Sequence, residues 1–370
     1  MALKNRDPES IREALAAWLP RVLHTGGPIE ISDLHIPSAN GMSSETVLFD
    51  CSWTQDGRRG SRGLVARISP REAALFPDHD LGRDLRVMSA LAAHSPAPVP
   101  AVVAHETTGT VLGAPFALVD RVHGRVPSDD PPFVTGGWVH ELTPPRRAAL
   151  FDNALRAISE VQQADPVALG LTDLLRPELG DSVIDQELAY WRQFYHWAAG
   201  ERRSPTIEKA FDILTGTRPD DRDPPVVVWG DARLGNLMFD DDQNVTGVFD
   251  WEMATLGRRE VDLGYFLFFD RFYSTGMGLP RLDGFPGRQA TIARFEELTG
   301  HSVTDLDWFE AWAALRGSIL LLRVGAVMIE HGQLPPDAAM PVNNPATQVL
   351  AALLNLPAPD GEACWIVGHR

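Results

Sequence analysis

Two apolar runs in the second half of this chain each end in a carboxylate. Val226-Val-Val-Trp229 opens into Gly230-Asp231, with Asn236 five residues beyond that aspartate, and Val248-Phe249 leads into Asp250, followed by Trp251 and Glu252. Strand ends hold side chains rigidly, whereas surface loops do not. Two oxygen ligands placed this way suit Mg²⁺, a hard cation that takes one or two protein carboxylates together with substrate phosphates. A third carboxylate that binds no metal can orient a hydroxyl nucleophile. Each residue also has a structural reading. Asp231 could brace its loop, Gly235-Asn236 is a common turn dipeptide, and Arg233 could either meet a transferred phosphoryl group or pair with Asp262 or Glu252. Asp250 lies between apolar neighbours, which argues against a solvated surface role.

The elements that must position these residues follow from periodicity. Ile11, Leu15, Trp18 and Leu19 place a helix over Pro8–Leu23. Short β-like runs follow at Ile29–Ile31, Thr46–Trp53, Gly63–Ile68, Val99–His105 and Phe116–Val122, separated by glycine and proline turns as in an antiparallel sheet. One helix over Asp80–Ala93 interrupts them. Beyond Val122 a proline- and glycine-rich stretch, residues 123–138, reads as a connection. The remainder is mostly helical, over Pro144–Ala164, Ser182–Gly200, Ser204–Gly216, Arg288–Thr299, Leu306–Glu330 and Asn344–Leu354. Short β segments sit at Pro225–Trp229, Asn236–Phe239 and Val245–Phe249. We therefore expect an N-terminal helix in 1–25, a β-rich lobe over 26–122 and an α-rich lobe over 123–370, with a cleft between the lobes.

The Asp231…Asn236…Asp250 spacing behind a β lobe resembles the protein-kinase-like fold. In that fold the first aspartate accepts the hydroxyl proton, while the asparagine and second aspartate hold Mg²⁺ on the nucleotide phosphates. At finer grain the chain resembles the aminoglycoside phosphotransferase family, related to choline-kinase-type small-molecule kinases, whose loop reads HGD-x-x-x-x-N and whose second motif reads DW(E). Trp229 stands where that family has its histidine, as a support for the loop rather than the base. The resemblance runs from about residue 25 to 330. It places Asn40-Gly-Met-Ser43-Ser44-Glu-Thr46 at the nucleotide-covering turn, with Ser43 and Ser44 as phosphate donors. Arg67 of Leu64-Val-Ala-Arg67 becomes the phosphate-binding cation, with Asp84 its candidate partner. Pro98-Val-Pro100, Leu112-Gly-Ala-Pro-Phe116 and Val122-His-Gly-Arg125 match the approach to a hinge, at which the backbone of Val119, Asp120 and Arg121 would read adenine. Gly257-Arg-Arg-Glu-Val-Asp262-Leu matches the family's G-x-x-x-x-D-L.

Composition narrows the function. The chain has 370 residues, 44% of them apolar and 22% charged, which excludes a disordered or fibrous protein. A net charge of −17 repels phosphate backbones, so nucleic acid is not an expected partner. The same charge is compatible with a cationic acceptor, and equally with plain solubility. Cys51 and Cys364 form neither a disulfide framework nor a zinc motif. The start of the chain lacks the uninterrupted apolar core of a signal peptide, and the apolar stretch Ser318–Ile329 is broken by Arg323 and too short to span a bilayer. A cytoplasmic protein with no membrane partner is the expectation. No G-x-x-x-x-G-K-[ST] loop is present. The leading reading is an α+β, two-lobed kinase using ATP and Mg²⁺ on a hydroxyl-bearing small molecule, aminoglycoside-like by resemblance. A nucleotide-binding pseudokinase or regulatory module is the alternative, and a metal-dependent hydrolase is weaker, because such sites need more carboxylate or histidine ligands.

Overall fold

The structure is a computed structural model and describes residues 7–36, 45–69, 75–78, 80–361 and 363–364. Ser43 and Ser44 therefore lie outside the described residues. The chain separates into two compact units, one of residues 1–93 and 99–123 and the other of 94–98 and 124–370.

In the first unit, helix α1 (Pro8–Leu23) begins where Asp7 accepts from the Glu9 amide and Pro8 takes the first helical position, and it ends at His24 in the left-handed region. Ile11, Leu15 and Leu19 form its buried stripe. Strands β1 (Ile29–Ile31), β2 (Glu45–Gln55), β3 (Arg58–Ile68), β4 (Val102–Glu106) and β5 (Phe116–Asp120) form an antiparallel sheet in the order β1-β2-β3-β5-β4. Leu64, Ala66 and Ile68 of β3 share one core with the α1 stripe, Val47, Phe49, Phe116 and Leu118. The period of two puts Val65 and Arg67 on the opposite face. Helix α2 (Leu81–His94) starts with the amides of Gly82 and Arg83 donating to the Asp80 carboxylate, and it buries Leu85, Met88 and Leu91.

The second unit carries helices α3 (Trp138–Glu141), α4 (Pro144–Val161), α5 (Val183–Ala199), α6 (Pro205–Gly216), α7 (Glu260–Phe272), α8 (Arg288–Thr299), α9 (Leu306–Glu330) and α10 (Pro345–Leu353). Strand β6 (Val226–Val228) pairs with β9 (Thr255–Gly257), and β7 (Leu237–Phe239) with β8 (Val245–Val248). Helix α9 is long and apolar enough to cross a membrane by length and composition, but 67% of its most apolar window is buried, against α5, α6, α7 and α10. It is a core helix. Gly264 lets α7 approach it closely, since a Cβ there would lie 2.7 Å from the carbonyl carbon of Phe309.

Helix α7 is a correction to the sequence reading, which placed no helix over 260–272. Ten of its 13 residues are buried, so no polar face marks the helical period. Strand β9 and helix α3 were likewise unforeseen, both too short to carry a period.

Candidate active site

The second unit assembles the site around the exit of β6. The amides of Trp229 and Gly230 donate to the two oxygens of Asp262, at 3.0 and 2.8 Å. Asp262 sits in the first turn of α7, wholly buried, and also accepts from Gln162 Nε2 at 3.1 Å. Burial pushes this carboxyl up from its ordinary pKa, and the bonds from Gly230, Trp229 and Gln162 work against that rise. Gly230 has φ +90°, and a Cβ there would fall 2.2 Å from the Met253 carbonyl oxygen, so the position admits only glycine. Its own carbonyl accepts from Arg316 of α9 at 2.7 Å. That buried guanidinium lies over the rings of Tyr265 and Trp191, 4.9 and 5.1 Å from their centroids.

Trp229 joins this loop to the next one. Its fully buried indole N–H donates to the carbonyls of Phe249 and Asp250, at 2.8 and 3.1 Å. A second tie is the Phe249 amide on the Asn236 carbonyl at 3.0 Å. The two carboxylate-bearing segments are thus one braced assembly.

Within it, Asp231 keeps 13% side-chain exposure. Its Oδ2 accepts from Asn236 Nδ2 at 2.7 Å and faces Arg233 Nε at 3.4 Å. Burial raises the Asp231 pKa and the charge of Asp250 adds to the rise, while Arg233 and Asn236 oppose it. The Asn236 amide nitrogen also bonds the Asp231 carbonyl at 3.1 Å, so the nitrogen side of that amide faces the aspartate and its oxygen is left for a cation. Asp250 follows β8 with φ +64°, an αL conformation that aspartate tolerates better than most residues. An amide oxygen and a carboxylate are hard donors, and among the described residues no group of three His, Cys, Asp or Glu could form a closed metal site. A two-ligand oxygen site fits Mg²⁺ shared with phosphates.

Arg233 departs from its expected partner. Its Nη1 pairs with Asp129 Oδ2 at 2.5 Å, its Nε approaches Asp231, and its guanidinium lies 5.5 Å from the Phe269 ring centroid. Asp262 is unsuitable because the loop amides occupy it. The Tyr273 hydroxyl donates to the other Asp129 oxygen. Burial opposes the Arg233 charge, yet Asp129 and Asp231 hold its pKa well above the ordinary value. Asp129 lies in the stretch taken for a connection, where two consecutive aspartates before Pro131-Pro132 were the only available signal.

The nucleotide-binding residues expected in the first unit are spread over its sheet and α2. Arg67 pairs in register with Thr46 and Ala117. Asp84 is buried in α2, with Arg83 Nε 3.7 Å from its Oδ1. Val119 is buried in β5. The Asp120 and Arg121 amides are already engaged with the carbonyls of Ala101 and Gly63, both at 2.9 Å, and their side chains pair with Arg62 and Asp50. Reading of an adenine edge by those two amides is therefore corrected: the sheet uses them.

A sequence model of the phosphotransferase enzyme family (APH) matches residues 41–298. The chain belongs to that family. Among solved structures, a presumed aminoglycoside phosphotransferase from Ralstonia eutropha is 26% identical with a TM-score of 0.65, over 92% of this chain and 95% of that one. A thermostable mutant of aminoglycoside phosphotransferase APH(4)-Ia, in ternary complex with AMP-PNP and hygromycin B, shares the fold at 16% identity and a TM-score of 0.55, over 92% and 98%. The chain thus has the kinase-like α+β fold, with a β-sheet N-terminal region and a helical C-terminal region. Curated relatives include acyl-CoA dehydrogenase family member 10 of Mus musculus, 29% identical over 257 residues, which are 69% of this chain and 22% of that protein. Family member 11 of Homo sapiens is 24% identical over 238 residues, 61% and 29% respectively. The chain spans only about a quarter of the length of these curated relatives.

Proposed function

We propose that this phosphotransferase uses ATP and Mg²⁺ to move the γ-phosphoryl group to the hydroxyl of a small molecule. The observation that carries the reading is the bracing of the two carboxylate-bearing segments: the indole of Trp229, two residues before Asp231, donates to the Phe249 and Asp250 carbonyls, and Asn236 Nδ2 donates to the Asp231 carboxylate. Phosphoryl transfer needs little covalent help from a protein and much positioning. Asp231, held by Asn236 and Arg233, orients the acceptor hydroxyl and takes its proton. Asn236 and Asp250 would hold Mg²⁺, which when bound neutralises charge on the phosphates. Arg233, fixed by Asp129, supplies a positive charge beside the transferred group, and Arg67 supplies one for the nucleotide phosphates.

AMP-PNP and ADP in the complexes of one solved neighbour, and GDP in another, support nucleotide use. Hygromycin B and kanamycin in those complexes make an aminated, polyhydroxylated compound the reference acceptor. The dehydrogenase named in the longer relatives is not carried over, because the carboxylate and amide groups of this site match phosphoryl transfer. A pseudokinase would retain nucleotide binding without turnover. Thermal melts at millimolar Mg-ATP, with turnover measured over alcohols and antibiotics, test both. We expect a raised melting temperature by mass action and phosphorylated product. A shift without product leaves the pseudokinase, and no shift with any nucleotide removes both.

A further inference from the structure

The same unit contains a partly open hollow whose wall begins at the site. Leu234 of the Asp231 loop lines it. So does Phe269, the ring beneath Arg233, and Tyr273, whose hydroxyl holds Asp129. The rest of the wall is mainly Phe133, Val134, Phe151, Phe266, Leu282 and Phe285. A wall of mainly aromatic and aliphatic side chains with a few polar groups is the usual composition of a small-molecule site.

Its charges are already satisfied. Asp270 accepts from Arg281 Nε at 2.7 Å, and the two terminal nitrogens of Arg281 donate to the carbonyls of Phe285 and Pro286, both at 2.6 Å. Asp270 and Arg281, the two charged residues lining the hollow, thus form a neutral pair. The rings pack tilted against each other, Phe133 on Tyr273 at 4.9 Å and Phe151 on Phe285 at 5.0 Å between centroids, rather than standing as a cage of open faces around a cation.

We propose that this hollow binds the uncharged, apolar body of the acceptor, so that the substrate class is an alcohol with an aliphatic or aromatic body rather than a polyamine. The proposal rests on the phosphotransferase reading and names the acceptor of that site. Placing the hydroxyl at Asp231 while the apolar body fills the Phe-lined space converts burial into orientation. In the transfer itself the acceptor oxygen forms a bond to the γ-phosphorus, the bond from that phosphorus to the bridging oxygen of ATP breaks, ADP leaves, and the hydroxyl proton passes to Asp231.

The probes are the straight-chain primary alcohols from 1-butanol to 1-decanol, with choline and kanamycin as cationic controls. Binding is followed by calorimetry, and phosphoryl transfer from Mg-ATP by mass. Each added methylene should strengthen alcohol binding about fourfold until the hollow is full, and KM should fall in parallel. Val134→Trp and, independently, Leu282→Trp fill the space with an apolar ring and should flatten that dependence while leaving Mg-ATP binding unchanged; whichever variant melts as a folded protein serves. Chain-length dependence that is flat in the wild type, or that survives a folded plugged variant, overturns the proposal. Transfer to kanamycin or choline with no such dependence overturns it too and leaves the phosphotransferase reading standing. Alcohol binding that is lost on plugging, but without transfer to any acceptor while ATP binds, overturns the assignment of the hollow to an acceptor together with the catalytic reading.

Discussion

Asp262 holds the Gly230 amide at 2.8 Å across 32 residues of sequence, so the first turn of α7 sets the backbone from which Asp231 projects. An asparagine at 262 keeps one acceptor oxygen but turns an N–H₂ toward one of the two loop amides. Leaving that donor unsatisfied should cost about 1–3 kcal/mol, seen as a lower urea midpoint for Asp262→Asn, and kcat should fall with it. An unchanged midpoint would mean that water replaces the lost acceptor and that the carboxylate is not the anchor.

Asp231→Ala should separate turnover from nucleotide binding. An orienting base contributes typically 10²–10⁴-fold, so kcat on any accepted alcohol should drop at least about a hundredfold. The melting shift given by Mg-ATP should persist. A variant that unfolds, or that keeps turnover within about threefold, would make the residue a loop brace.

Asp250→Asn should weaken nucleotide binding in Mg²⁺ and leave metal-free binding alone, because it removes one carboxylate from a small set of metal ligands. Calorimetry with and without Mg²⁺ measures the difference. Equal affinities of variant and wild type in Mg²⁺ would exclude Asp250 as a ligand.

Asp129→Asn should loosen Arg233 on one side. The Arg233 pair with Asp231 remains, and Asp129 is 38% exposed at its side chain, so the stability loss should stay near 1 kcal/mol. Turnover should fall about tenfold with ATP affinity unchanged, and Tyr273→Phe should give the same effect more weakly. Wild-type kcat in both variants would reduce the cluster to packing.

Acid should attack this unit at Glu260. Burial opposes its charge, but Arg258 at 3.0 Å, His301 at 3.1 Å and the Thr304 amide at 3.1 Å hold its pKa below the ordinary carboxylate value. A depressed folded pKa stabilises the protein above the unfolded value of about 4.3, and that contribution is lost as pH falls through the folded value. Glu260→Gln should therefore cost about 3 kcal/mol at pH 7, as expected for one partner of a buried pair, and its deficit relative to wild type should shrink below about pH 4. A deficit independent of pH would assign the loss to packing alone.

The fold was legible wherever apolar residues repeat. Helix α1 shows Ile11, Leu15 and Leu19 on one stripe, and the sheet shows short runs between turns. It was illegible at α7, where burial on all sides removes the contrast that periodicity needs, and that helix carries both Asp262 and Tyr265. The loop residues were legible because the types and spacing of Asp231, Asn236 and Asp250 carry chemistry by themselves. Asp129 was not, since its meaning comes from Arg233, 104 residues away, and only folding reveals that pairing. The hollow was equally hidden: its phenylalanines come from α4, α7 and two irregular segments, and each alone reads as core.

At position 230 the Met253 carbonyl oxygen occupies the space that any side chain would need. In a library sampling every amino acid along the chain, this residue should tolerate replacement as poorly as Asp231, although it offers a substrate no functional group. Intolerance there would record how near two stretches of main chain pass. A map of lost function would thus draw the site larger than its chemistry, with a rim of glycine and tryptophan set by clearance.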